Sequence, residues 1–294
     1  MHDWRREFNR LEGAYAPSTI RSYHSDVQAY ENWCQEHGLA MFPSPVAQIC
    51  DFLACQGEII TAASLRRRLY AIRKVHNLLR LPDPTQDEDI NLTLRRIRRK
   101  KGTRQAQATG MTETYLTRFI ESEPETPTGW RNRAMMSLGY DLLTRRSELV
   151  SLRDKDMEPC ANGTYRFLIR RSKSDPFGAG RLAFCSLRTA TLLEDWLAWR
   201  GEATDWLFCP IYQDLPIDRS LSDTTVKRVI HAAAQRCCDL ETASGFSGHS
   251  MRVGAAQDLL KRGLDTAGIM RAGGWKSVSV LARYLEQADH NSWT

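Results

Sequence analysis

The sequence predicts a mostly α protein in two domains, an N-terminal bundle of helices and a larger C-terminal domain that is mainly helical with a small antiparallel β-sheet. Apolar residues recur at helical spacing through most of the 294 residues. Alternation with period two appears only around residues 164–186. Between the two regions, residues 102–111 are polar, bounded by glycines and without strong periodicity. A hydrophobic content of 42% over this length is enough for two real cores.

From Pro17-Ser18-Thr19 a helix starts on a hydroxyl cap and runs to Gly38, with Ile20, Tyr23, Val27, Tyr30 and Trp33 on its inner face. A second helix covers Val46 to Gln56 with Ile49, Phe52 and Leu53 inward. A third covers Ala62 to Arg80 with Leu65, Leu69, Ile72, Val75 and Leu79 on one stripe, and a fourth Leu92 to Lys101. The domains are expected at 1–103 and 112–294, with a linker over 104–111. In the second domain Thr112 opens a helix through Tyr115 and Phe119, and Trp130 to Leu142 forms another. Residues 164–170 and 181–186 are strands joined across Asp175-Pro176-Phe177-Gly178, which puts Lys173 at the mouth of a hairpin. Helices resume at Ala190 to Trp199, Asp223 to Cys237, Met251 to Arg262, Thr266 to Ala272 and Val278 to Glu286.

No apolar run approaches the eighteen or so residues of a membrane helix, and Met1-His2-Asp3-Trp4-Arg5-Arg6 lacks the apolar core of a secretory signal. The expectation is a cytoplasmic, nucleoid-associated protein with no membrane contact. The eight cysteines show no disulfide framework and read as reduced thiols. Cys34-Gln35-Glu36-His37 has no second pair at ligand spacing, so no metal is expected. Asp87-Glu88-Asp89, close to Pro82 and Pro84, reads as a solvated connector rather than a metal-nuclease cluster. No phosphate-binding loop of the Gly-x-x-x-x-Gly-Lys-Ser/Thr kind is present, and no cofactor is expected.

The net charge is +6, and lysines and arginines outnumber acids 17 to 12 in residues 1–110 but only 24 to 23 thereafter. A local basic surface suits nucleic acid, because each neutralised phosphate releases counterions. The run Arg95-Arg96-Ile97-Arg98-Arg99-Lys100-Lys101 also complements a helix C-terminus, so macrodipole and DNA contact explain it equally well. Arg66, Arg67 and Arg68 lie in the first half of their helix, where the dipole disfavours cations and a phosphate or base would offset that disadvantage.

His249 and Arg252 stand three apart in Gly248-His249-Ser250-Met251-Arg252, at a helix start that offers free N–H groups to an anion. Leu143-Thr144-Arg145-Arg146-Ser147-Glu148 places a second arginine at a helix start with a carboxylate one turn on. Gly273-Gly274-Trp275 and Ala282-Arg283-Tyr284 follow. In this order, Arg-x-x-Glu, hairpin Lys, His-x-x-Arg, Trp and Tyr, the chain resembles the tyrosine recombinase (phage integrase) family. The resemblance extends through Ser247 to Ala256, Ile269 to Trp275 and Leu94 to Arg98, and so covers most of the chain.

That resemblance implies the DNA breaking-rejoining fold, with an all-α core-binding domain and a catalytic domain gripping opposite faces of the duplex. It nominates Arg145, Glu148, Lys173, His249, Arg252, Trp275 and Tyr284 as the catalytic set. Two guanidinium forks, Arg145 and Arg252, suit the charge that builds on a five-coordinate phosphorus. Tyr284 is the nucleophile, His249 its proton acceptor and Lys173 the general acid for the leaving 5′ oxygen. Trp275 donates its indole N–H to the phosphate while its ring packs beneath the site, and Glu148 orients the basic groups. Arg21, Ser22, Arg66, Arg67, Arg68, Arg95, Arg96 and Arg98 are expected to touch DNA, with Lys227 and Arg228 as weaker candidates. The implied partners are a double-stranded target site with inverted repeats and three further copies of the chain in a tetramer; nothing in the sequence identifies accessory proteins. The competing readings are a monomeric type IB-like topoisomerase, which the N-terminal helical domain argues against, and a non-catalytic DNA-binding accessory factor, which retention of the whole set argues against.

Overall fold

A computed structural model describes residues 3–101, 107–170 and 180–288. The chain divides into two compact units, Met1–Gln105 and Ala106–Thr294. The first contains α1 (Trp4–Phe8), α2 (Pro17–Glu36), α3 (Val46–Ile59), α4 (Ala62–Leu78) and α5 (Glu88–Lys101). Tyr30, Ile49, Phe52, Leu65, Ile72 and Ile90 bring α2 to α5 together in one apolar cluster. Trp4 and Phe8 seal the far side against Val27 and Val75. Helix α1 escapes sequence periodicity because five residues are too few to show a stripe. Its cap is readable, since the Asp3 carboxylate accepts the Arg5 N–H at 3.1 Å.

Helix α5 begins at Glu88 rather than Leu92, so two of the acids expected in a solvated connector, Glu88 and Asp89, form its first turn, and Asp87 just before it accepts the Asp89 N–H at 2.9 Å. Carboxylates there complement the positive end of the helix. At the other end Lys100 meets Glu58 at 2.7 Å and Lys101 donates to the Ile60 carbonyl at 2.8 Å, which ties the basic run to the end of α3.

The second unit contains α6 (Glu113–Glu121), α7 (Pro127–Asp141), α8 (Arg146–Val150), β1 (Met157–Pro159), β2 (Tyr165–Ile169), β3 (Arg181–Phe184) and α9 (Leu187–Arg200). The hairpin β4 (Ile211–Tyr212) and β5 (Leu215–Pro216) follows, then α10 (Asp223–Cys237), α11 (Leu240–Ser244), α12 (Ser250–Lys261), α13 (Thr266–Gly273) and α14 (Val278–Leu285). The main sheet is antiparallel in the order β1-β2-β3, with Phe167 opposite both Met157 and Ala183. Strands β1, β4 and β5 are two or three residues long and leave no alternation to read. Strand β3 stops at Phe184 because Ser186 caps α9, accepting the Thr189 N–H at 3.3 Å.

Helices α7 and α12 form the centre of this unit, and eight consecutive residues of α12, Ser250 to Gln257, are buried. A helix buried on every side must be closely approached, and glycines make that possible. A Cβ at Gly139 would lie 2.6 Å from Met251 Sδ, and one at Gly254 only 2.0 Å from the Met111 carbonyl oxygen. This packing sets the depth at which Arg252 projects.

Candidate active site

Arg252 is among the largest fully buried side chains, and no carboxylate among the described residues touches it. Its guanidinium donates instead to backbone, to the Leu143 carbonyl and, at 2.7 Å, to the Gly273 carbonyl. Its carbon lies 4.0 Å from the centroid of the Trp275 ring and 5.8 Å from that of Tyr284. The two rings meet edge to face at 5.0 Å and 70°. Burial, reinforced by the neighbouring Arg145 cation, pulls Arg252 down to about 10. Each of these pressures would be relieved by an anion.

Local backbone explains the carbonyl cradle. Leu143 follows the end of α7 with φ of 48°, a left-handed conformation uncommon for a leucine. The buried side chain and the bond from Arg252 hold it there. On the opposite side α13 ends on Gly274 at φ of 67°, and the Trp275 N–H returns to the Met270 carbonyl at 2.9 Å. A Cβ on Gly273 would stand 1.9 Å from the Trp275 ring, so the Gly273-Gly274-Trp275 run is what lets the indole fold back under Arg252.

Arg145 caps α8. The Glu148 carboxylate accepts the Arg145 backbone N–H at 3.0 Å and its guanidinium at 2.5 Å, which fixes both ends of the residue. His249 is the exposed N-cap of α12, whereas Arg252, three residues on, is buried. The adjacent Gly248 is a close-approach point, because a Cβ there would lie 1.9 Å from Arg146 Cδ. That contact brings the loop carrying His249 against the start of α8. Arg145, Glu148, Arg252, Trp275 and Tyr284 therefore converge, with His249 at the rim. Lys173 lies outside the described residues, as do residues 104–106 of the expected linker.

One basic residue of the cluster escaped sequence reasoning. Arg181, mostly buried at the start of β3, donates to the Ala272 carbonyl at 2.7 Å and the Leu142 carbonyl at 2.6 Å, and lies 4.0 Å from Glu148. The signal was a strand whose sides are reversed. Ala183 and Cys185 are buried while Leu182 and Phe184 are 54% and 60% exposed, so the arginine shares the inward face.

The nominated DNA-contacting residues sit differently. Arg21, Arg66, Arg95, Arg96, Arg98, Lys227 and Arg228 are exposed, and Ser22 is half-buried. Arg67 grips the buried Asp26 with two bonds of 2.6 and 3.0 Å, and Arg68 lies 3.5 Å from the same carboxylate. The premise that these cations have only DNA to offset the helix dipole is thus corrected, since Asp26 on α2 supplies an internal counter-ion. Arg66 has no such carboxylate among the described residues and leans on Tyr70, its Nε 3.3 Å from the hydroxyl.

Residues 109–291 match the phage integrase family, and residues 7–81 match the phage integrase N-terminal SAM-like domain. The chain belongs to the phage integrase family. Among other family members, it is 27% identical to the recombinase cre of Escherichia phage P1, over 94% of this chain and 86% of that protein. It is 28% identical to an integrase/recombinase xerD homolog of Selenomonas ruminantium, over 95% of this chain and 84% of that one. Its fold is similar to that of the XerH site-specific recombinase in a post-cleavage complex with palindromic difH substrate, with a TM-score of 0.69 and 19% identity, covering 93% of this chain and 77% of that one. It is also similar to the lambda integrase dimer bound to a COC′ core site, with a TM-score of 0.66 and 16% identity, covering 99% and 78% of the two chains. As a phage integrase family member the chain is a tyrosine recombinase, an enzyme that cleaves and rejoins DNA.

Proposed function

We propose that this tyrosine recombinase cuts one strand of a duplex target site by attack of the Tyr284 hydroxyl on a phosphodiester, leaving a 3′-phosphotyrosyl link and a free 5′-hydroxyl. The observation that carries this reading is that two buried donors beside the Tyr284 ring, Arg252 Nε and Trp275 Nε1, have no acceptor among the described residues. Buried donors are normally satisfied, so a ligand oxygen is the natural partner of both. Arg145 and Arg252 then hold the nonbridging oxygens as charge grows on phosphorus. His249 takes the tyrosine proton, and Lys173 returns one to the leaving 5′ oxygen.

The exchange turns one phosphate ester into another, so bond energy is conserved and the reaction needs neither ATP nor metal. A 5′-hydroxyl from another duplex reverses the step and transfers the strand, and repetition on the second strand passes through a Holliday junction. Two copies on inverted repeats and two such pairs in a tetramer provide the four tyrosines. Arg21, Ser22, Arg66, Arg67, Arg68, Arg95, Arg96 and Arg98 contact the site from the first unit, and Lys227 and Arg228 from the second.

The test is capture from a randomised duplex library carrying nicks, which lets the short product leave and traps the covalent complex. Wild type is expected to yield protein-linked DNA with a common sequence, and Tyr284→Phe none. DNA bound tightly but never linked would overturn the reading.

A further inference from the structure

We infer that Arg181 is a positioning residue that sets the separation of Arg145 and Arg252. The inference rests on the reading of those two arginines as the phosphate clamp. Arg252 spans two chain turns, one ending at Leu143 and one at Gly273. Arg181 spans the same two turns one residue earlier on each side, at Leu142 and Ala272. The two guanidiniums therefore form neighbouring struts between the segment that leads into Arg145 and the segment that leads into Trp275. A longer contact of 3.5 Å from Arg181 to the Leu143 carbonyl joins the struts at one end.

Arg181 also approaches the anchor of Arg145. Glu148, 2% exposed as a side chain, sits between the Arg145 guanidinium at 2.5 Å and that of Arg181 at 4.0 Å. Burial and the nearby Arg145 lower the Arg181 pKa, so among the described residues three arginines crowd around the one carboxylate of Glu148. Its own N–H groups are turned to carbonyls, so its place is to hold the clamp rather than to touch phosphate. The fit also constrains Gly274, where a Cβ would lie 2.9 Å from Arg181 Cδ. Only a planar fork reaches carbonyls on both turns at once, and the single ammonium of a lysine does not.

The experiment compares wild type, Arg181→Lys and Gly274→Ala on a nicked duplex carrying the captured site. A second duplex has a methylphosphonate at the scissile position, which removes the negative charge that the clamp must hold. For Arg181→Lys the expected result is unchanged DNA affinity with a cleavage rate about 100-fold lower at saturating DNA. The gap should narrow to about 3-fold on the methylphosphonate, where clamp geometry matters less. Gly274→Ala crowds the Arg181 arm but also strains the left-handed turn that leads to Trp275, so it counts only beside Arg181→Lys, and Arg181→Gln, which can still donate to one of the two carbonyls, serves if Arg181→Lys does not fold. Wild-type rates in both variants, or an equal defect on both substrates, would overturn the inference. Absence of wild-type adduct would instead overturn the proposed function on which it rests.

Discussion

The guanidinium of Arg252 stands 4.0 Å from the Trp275 ring, and each of the two side chains keeps one buried N–H without an acceptor among the described residues. Leaving a buried donor unpaired costs about 1–3 kcal/mol, so both N–H groups favour an oxygen ligand here. Trp275→Phe keeps the ring under Arg252 and removes one donor. It should fold normally and cleave nicked DNA about 10 to 100 times more slowly. Trp275→Ala removes the ring itself and should lose about 3–5 kcal/mol of stability. Chemical denaturation beside single-turnover cleavage separates the two effects.

Glu148 is buried and accepts both the backbone and the side chain of Arg145. Glu148→Ala removes the carboxylate that accepts from both the backbone and the guanidinium of Arg145 and so weakens the start of α8. A loss of about 3–5 kcal/mol is expected. Glu148→Gln keeps an acceptor for the backbone N–H, so most stability should survive while cleavage falls. Equal stability of wild type and Glu148→Ala in urea would contradict this role.

In the first unit the Asp26 hydrogen bond raises the Arg67 pKa and holds its guanidinium, while Arg66 has only Tyr70 beside it. Arg66→Ala should therefore weaken DNA binding and lower the salt slope by about one. Arg67→Ala should change the slope less, and Asp26→Ala should destabilise the unit by removing the counter-ion that Arg67 and the mostly buried Arg68 share, leaving Arg68 with Gln56 alone among the described residues. Binding titrations at several salt concentrations give the slopes.

His76 is fully buried, with Nδ1 3.0 Å from the Ile72 carbonyl and Nε2 accepting the Ser44 N–H at 3.3 Å. Burial pushes its pKa below the ordinary 6.5. The unfolded chain therefore binds the proton first as pH falls. The contribution of neutral His76 is present above about pH 6.5 and is lost as pH drops toward the folded value. Melting temperature should decline from pH 7 to pH 5, and His76→Gln should flatten that decline. An unchanged slope in the variant would count against the neutral imidazole.

Much of this was legible in the sequence because long helices with wide apolar stripes announce themselves. The tracts running from Pro17, Val46 and Ala62 did so, as did the motifs that carry the resemblance to the phage integrase family. The shortest elements did not, since α1, β1 and the β4-β5 hairpin rest on tertiary contacts rather than on period. The convergence of the site depends on features no local pattern carries. The left-handed Leu143 presents a carbonyl to an arginine 109 residues away. Arg181 was hidden because Leu182 and Phe184 suggest the opposite inward face. Asp26 was missed as the partner of Arg67 because the two lie 41 residues apart.

The most direct test of the central claim is the identity of the linked residue. Wild-type protein is incubated with nicked target DNA, denatured, digested with nuclease and protease, and analysed by mass spectrometry. The account predicts a nucleotide remnant on the peptide containing Tyr284, joined through phosphate to the phenolic oxygen, and none in Tyr284→Phe. A remnant on any other residue, or one that persists in Tyr284→Phe, would contradict it.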